Sequence, residues 1–361
     1  MKEAAHSIAT RVACLKETPN VLVICGNHNI AFASSLIKEC YAERANPHLW
    51  AWNENSLKNE KGIVAEGVVD KLAEHTLSLL KNSDLVIWLT QFENPLNAKR
   101  DLGIAVCSFW DEVYQAIQDK PRLLVNLFSQ ESMRALNLSY EKYLTAFTSG
   151  VTVDYEKMKE TGSTIKTSLK DRILINVTDP NGTDLSFNIE NRRAIVETGI
   201  LRDCILTGEE CEIEIPAGEV YVAPLENSAF GRLVVDEVKD FGVRHLEMAF
   251  EAGKISGLTA GKGEARFREF LENAEGGRDI LAEFGIGINQ GVKPIGLRIQ
   301  DEKAFGTVHV AIGNNANLGG VNKASIHLDF NLYRPTIRAD ADLIMKEGHI
   351  MSNRSTPQST S

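Results

Sequence analysis

The feature that most constrains this chain is a change of hydrophobic rhythm near residue 150. Before it, VLVICG (Val21–Gly26), LVIWLT (Leu85–Thr90) and RLLVNLF (Arg122–Phe128) are short apolar runs of strand length. Amphipathic stretches with helical spacing lie between them, near Ala31–Arg44, Val64–Lys81 and Leu102–Asp119, and Pro121 separates the last from its strand. Fully apolar strands alternating with helices predict parallel βαβ units whose sheet is covered on both faces. The expected first domain is therefore α/β, a doubly wound, mainly parallel sheet over residues 1–150.

The pattern then changes. A polar helical stretch around Tyr155–Arg172 leads into ILINVTDPNGTDLSFNI (Ile173–Ile189), a predicted hairpin with PNG at its turn. Strand-like segments recur at CEIEIPAGEVYVAP, GRLVVDE, HLEMAFEAGKI, GTVHVAIG and ASIHLDF, interrupted by one helix near Gly263–Asn273. This predicts a mainly β (α+β) domain over 151–348. The polar tail from 349 to 361, HIMSNRSTPQSTS, reads as disordered.

Several functions are disfavoured at once. A net charge of -10 and pI near 5.4, with no Lys/Arg-rich stretch, argue against nucleic-acid partners, which need a basic face. The turn after the first apolar run, CGNHNIAFASS, has one glycine, and GLTAGKGEARF lacks P-loop spacing, so nucleotide binding is not expected. The start, MKEAAHSIAT, has no apolar core of a signal peptide, and the apolar runs are too short to span a bilayer. A cytoplasmic location with no membrane partner follows as an expectation. Six cysteines without CxxC spacing read as reduced thiols rather than a thiolate metal site.

The chemistry gathers in the second half. In GTVHVAIG, strand alternation puts Thr307, His309 and Ala311 on one face, with Val308, Val310 and Ile312 on the other. In SIHLDF the same alternation pairs His327 with Asp329. Imidazole nitrogen and carboxylate oxygen projecting together suit Zn, Mn, Co or Fe. Two glutamates add to the set: Glu219, opening an apolar strand after Pro-Ala-Gly, and Glu283 within ILAEFGIGIN. A carboxylate among apolar residues must be paired, protonated or metal-bound, because an isolated buried charge is too costly. Each piece alone has an ordinary reading. A strand histidine is often only hydrogen-bonded, HxD arises by chance, and a single glutamate usually faces solvent. Together, three carboxylates and two imidazoles suffice for two metals sharing a carboxylate and a water.

Taken in order, IPAGEVYVAP, LAEFGIGIN, GTVHVAIGNN and SIHLDF resemble the thermophilic aminopeptidase family of the T and S types. That resemblance implies a dinuclear metallopeptidase, a hydrolase releasing N-terminal residues from small peptides, usually as a homodimer. Motif by motif it implies that Glu219, Glu283, His309, His327 and Asp329 coordinate divalent metal (Zn, Co or Mn). Glu283 is then the catalytic residue that bridges the metals or moves the water's proton. Family peptidases carry a tyrosine shortly after the first motif histidine, thought to steady the tetrahedral intermediate. Here that stretch is NNANLGG, with Ala316 near the position and no tyrosine, so that the group is either absent or replaced, for example by Asn314 or Asn315. The chain also resembles the 2,5-dihydroxypyridine dioxygenases in its GxN…GG loop and HxD strand, which implies, as the alternative, mononuclear Fe(II) ring cleavage of a small heteroaromatic substrate. In those enzymes the position of Glu283 resembles a histidine, that of Glu219 an apolar residue and that of Ala311 a serine ligand. The glutamates and His309 therefore favour the hydrolase.

Overall fold

The computed structural model describes residues 1–13, 15, 19–57, 77–205 and 211–351, which form two units, 1–153 with 199–217, and 154–198 with 218 onward. Most of the segment expected to be helical near Val64–Lys81 lies outside the described residues; residues 77–81 are helical.

In the first unit, among the described residues, five strands make one parallel sheet: β1 (Asn20–Gly26), β2 (Asn46–Trp52), β3 (Leu85–Leu89), β4 (Arg122–Val125) and β8 (Glu212–Ile215), in the order β2-β1-β3-β4-β8. The apolar runs become the buried strands because both sheet faces are covered, so no residue of β3 needs to be polar. Trp52, Trp88, Phe109 and Trp110 pack together over one face, with Trp52 stacked on Phe109 at 5.9 Å between ring centres. Each such ring contributes about 2–3 kcal/mol of burial.

The fifth strand corrects the sequential division at 150. Residues 199–217 return to the first unit, and β8 pairs with β4 from Arg122↔Glu212 to Val125↔Ile215. Buried Arg122 reaches the carboxylate of Glu212 at 2.5 Å. A pairing made across some ninety residues leaves no local trace in the sequence. In the same segment Cys204 and Cys211 lie side by side, with their Cα atoms 5.6 Å apart.

In the second unit, the predicted hairpin forms from β5 (Leu174–Thr178) and β6 (Asp184–Asn188). The side chain of Asp179 accepts from the amides of Asn181 and Thr183 and shapes its turn. These strands join β10 (Phe230–Val238), β11 (Val243–Glu251), β12 (Lys254–Lys262), β16 (Thr336–Ala339), β17 (Asp342–Lys346) and β18 (His349–Ile350) in an eight-stranded sheet among the described residues. The expected tail thus begins later than 349, since His349 and Ile350 pair with β17; residues 352–361 lie outside the described residues. A second sheet contains β7 (Ile195–Glu197), β9 (Glu219–Val222), β13 (Leu281–Gly287), β14 (Val308–Gly313) and β15 (His327–Leu332), all antiparallel, in the order β15-β14-β13-β9-β7.

Candidate metal centre

Strand alternation and register bring the five candidate residues onto one face of this second sheet. Asp329 lies opposite Ala311, and Ala311 opposite Glu283, so a small residue stands between two acids. One row along, His309 lies opposite Gly285, which lies opposite Tyr221; Glu219 pairs with Gly287 in the next row. Val308, Val310 and Ile312 on the opposite face are buried, as the alternation predicts. Gly285 is required by the histidine: a Cβ there would sit 2.0 Å from His309 Nε2. The imidazole lies across the place where a side chain would otherwise stand.

The result is two groups of potential ligands that share Glu283. Glu219, Glu283 and His309 form the inner group, and Glu283, His327 and Asp329 the outer one. His309 Nε2 is 3.2 Å from Glu219 Oε2 and 3.4 Å from Glu283 Oε1. His327 Nε2 is 3.0 Å from Glu283 Oε2 and 3.4 Å from Asp329 Oδ1. Each oxygen of Glu283 therefore faces a different histidine. The inner group is buried, whereas the His327 side chain is about one-third exposed, at 31%.

The donor chemistry fits a divalent cation. Glu219 Oε2 and His309 Nδ1 are buried without a hydrogen bond among the described residues, atoms that an apolar interior does not tolerate without compensation. His327 donates its Nδ1–H to the carbonyl of Asn314 at 2.7 Å, which fixes the tautomer and leaves Nε2 facing the carboxylates. A second hydrogen bond of this type commonly orients metal-binding histidines.

Charge is balanced by protons and by two cations from neighbouring segments. Burial by itself would lower the His309 pKa, but its hydrogen bond to Glu283 and the charges of Glu219, Glu283 and Asp329 raise it to about 9. His327 is likewise raised, against its burial, by Asp329 and Glu283. Burial would raise Glu283, yet the two histidines hold it at about 2; Asp329 is lowered against burial by His327, His309 and Arg298.

Sequence reasoning missed those two cations. Lys303, 5% exposed, places Nζ 2.7 Å from Glu219 Oε1 and 3.1 Å from Glu302 Oε1. Arg298 lies 3.6 Å from Asp329 Oδ2 and 2.8 Å from Asp240. The sequence signal for Lys303 is a charged DEK triplet two residues before GTVHV; Arg298 lies outside it. The asparagine loop also behaves differently from expectation. Asn315 Nδ2 donates to Glu226, its Oδ1 accepts from the Asn322 amide, and Asn314 Nδ2 donates to Asn317. Both side-chain amides are thus engaged, Asn314 within the loop and Asn315 with Glu226 and Asn322, and the Asn314 carbonyl is the loop atom that reaches His327.

The profile of the thermophilic metalloprotease family (M29) matches residues 122–350, a span containing all five candidate ligands. AmpT from Thermus thermophilus has a similar structure, with a TM-score of 0.70 at 16% identity, covering 97% of this chain and 98% of that one. The 2,5-dihydroxypyridine dioxygenase from Pseudomonas putida KT2440 gives a TM-score of 0.62 at 16% identity, covering 98% of this chain and 97% of that one. At such identities the likeness establishes the shared fold. Among the curated proteins none matches.

Proposed function

The chain belongs to the thermophilic metalloprotease (M29) family, and from that premise we propose that it is a metal-dependent aminopeptidase with a dinuclear centre. Glu219, Glu283, His309, His327 and Asp329 hold the two metals. The observation that carries this reading is the shared carboxylate, Glu283, with one oxygen toward each histidine. A bound divalent metal polarises the scissile carbonyl and lowers the pKa of water to the physiological range.

The protein's own residues supply position and proton balance. Glu283 joins the inner and outer groups and is placed to accept the proton of an attacking water. Asn314 holds the His327 ring, and Lys303 holds one oxygen of Glu219 while the other faces His309. Ala311, a small side chain, stands between Asp329 and Glu283 on the same face of the sheet. Small peptides are the proposed substrates, a homodimer the proposed assembly and the cytoplasm the proposed location; among the described residues no helix is long and apolar enough to cross a membrane.

The test is elemental analysis of tag-free protein purified without chelator, beside Glu219→Ala and His309→Ala, together with a peptide-cleavage assay and an oxygen electrode. About two equivalents of Zn, Co or Mn, falling to one or none in both variants, with release of N-terminal residues, is the expected result. A single iron indifferent to both substitutions, with oxygen consumed on dihydroxypyridines, overturns it in favour of the dioxygenase.

A further inference from the structure

The loop joining β14 to β15 reaches His327 through the Asn314 carbonyl, so the direction of that ring depends on the loop keeping its shape. Apolar contact does little to keep it. Val321 is 76% exposed, and Ala316 and Gly319 also face outward. Polar bonds do the holding instead. Asn315 is fully buried; its carbonyl accepts the amides of Leu318 and Gly320, and its side chain accepts the Asn322 amide at 2.8 Å. Asn322 donates Nδ2 to the carbonyl of Gly313, the last residue of β14, at 2.5 Å.

Two charged residues from other segments close the arrangement. Glu226, in the turn after β9, accepts at Oε1 both Asn315 Nδ2 at 3.1 Å and the Val321 amide at 2.7 Å. Its Oε2 accepts from Arg192 Nη2 at 2.7 Å, and Arg192 Nη1 donates to the Gly319 carbonyl. The pair therefore grips the loop at residues 315, 319 and 321. Burial by itself would raise the Glu226 pKa, but the Val321 and Asn315 donors and the charge of Arg192 lower it. The carboxylate is ionised, and its bonds to the loop are of the stronger, charge-assisted kind. A surface ion pair that only balanced charge would have no need of these loop partners.

We infer that Glu226 and Arg192 are positioning residues for His327, fixing the loop so that the Asn314 carbonyl sets the direction of its ring. The inference rests on the metal-centre reading above and extends it from the ligands to the groups that aim one of them. Among the described residues, neither has a hydrogen bond or ion pair to any of the five candidate ligands. Their influence is thus confined to the outer half, and the inner half should not feel their loss.

The experiment titrates Zn²⁺ into chelator-treated, full-length protein by calorimetry. It compares the native chain with Glu226→Ala, Glu226→Gln, His327→Ala and the double variant Glu226→Ala/His327→Ala. One of two equivalents is expected to bind roughly 10–100-fold more weakly in Glu226→Ala, the other being unchanged. Glu226→Gln keeps an oxygen for both loop donors and should recover most of the loss. The double variant should match His327→Ala in content and in the affinity of the remaining equivalent, because the two changes act through one ring. Native affinities in folded Glu226→Ala, or a loss shared by both equivalents, overturn the inference. If Glu226→Ala does not fold, Arg192→Met replaces it, with a several-fold loss confined to one equivalent expected and the same overturning results. If Zn²⁺ does not bind the native protein, the metal reading falls by itself, and solvent exchange of the His327 Nδ1 proton in ¹⁵N-histidine-labelled protein decides. Exchange slow in the native chain and Glu226→Gln but fast in Glu226→Ala upholds the positioning role; exchange equally slow in all three sinks it.

Discussion

The two halves of the proposed metal centre are built from the same ligand chemistry but in opposite surroundings. The inner group, Glu219 and His309 with one oxygen of Glu283, is buried and has a lysine ammonium 2.7 Å from its glutamate. The outer group, His327 and Asp329 with the other oxygen, borders a cavity, and its nearest cation is 3.6 Å away on an arginine shared with Asp240. Low dielectric and a committed cation make the inner half rigid and costly to empty, whereas partial exposure lets water and substrate reach the outer half. The difference suggests a division of labour, with the inner half anchoring the centre and the outer half meeting the substrate.

Removing the shared residue should abolish that difference. Glu283→Ala takes a ligand from both groups, so metal content is expected to fall from about two equivalents towards none, and peptide cleavage by at least ~10³-fold. Asp329→Ala touches only the outer group and should retain about one equivalent. If the two variants keep equal metal, the halves are not joined through Glu283 and the comparison fails.

Next in size is Gly285→Ala, a change of one methyl that addresses the inner half alone. The new Cβ would collide with the imidazole of His309, which must then leave its place between Glu219 and Glu283. Loss of one metal equivalent and a fall of about 10²-fold in kcat are expected, with the outer metal retained. Unchanged stoichiometry with full activity would show that His309 is not an inner ligand.

These positions were not equally legible in the sequence. His309, His327 and Asp329 could be read from the two-residue period of their strands, because that period sets the face whatever the neighbouring strands turn out to be. Glu219 and Glu283 were suspect because each stood among apolar residues, though only order and resemblance tied them to the histidines. Lys303 and Arg298 were not legible. Their segment has no hydrophobic period, and it folds back by hydrogen bonds such as those from Ile295 and Gly296 to Asp301, which depend on chain path rather than composition. The return of 199–217 to the first sheet was hidden for the same reason. The parallel strands themselves were plain, because burial on both faces leaves uninterrupted apolar runs.

Lys303→Met sharpens the comparison from the side of charge. It removes the cation from Glu219 and Glu302 while keeping the volume. In chelator-treated protein the buried acids lose a cation, a destabilisation of about 3 kcal/mol, visible in denaturant unfolding. A bound inner metal restores much of that loss, so the deficit should shrink on metal loading. A deficit identical with and without metal would mean that Lys303 supports the fold rather than the inner site.

The smallest effect is the pH dependence of the metal-free protein, and its sign follows from linkage. His309 is held at about 9 in the folded state against 6.5 when free, so the folded protein keeps a proton that the unfolded chain has released. Its stabilisation is fully present below pH 6.5 and is lost as pH rises through 9. Glu283, held at about 2 against 4.5, contributes above pH 4.5 and loses that contribution as pH falls through 2. Chelated protein should therefore be most stable between about pH 4.5 and 6.5 with respect to this cluster, and its Tm should fall by ~5 °C between pH 6.5 and 9. Metal reverses the alkaline trend, because it binds the deprotonated imidazoles and so binds more tightly as pH rises. His309→Asn flattens the alkaline limb if the inner half carries it. A Tm of chelated protein that rises from pH 6.5 to 9 would show that the buried histidine is neutral, and that protons do not stand in for metal in the inner half.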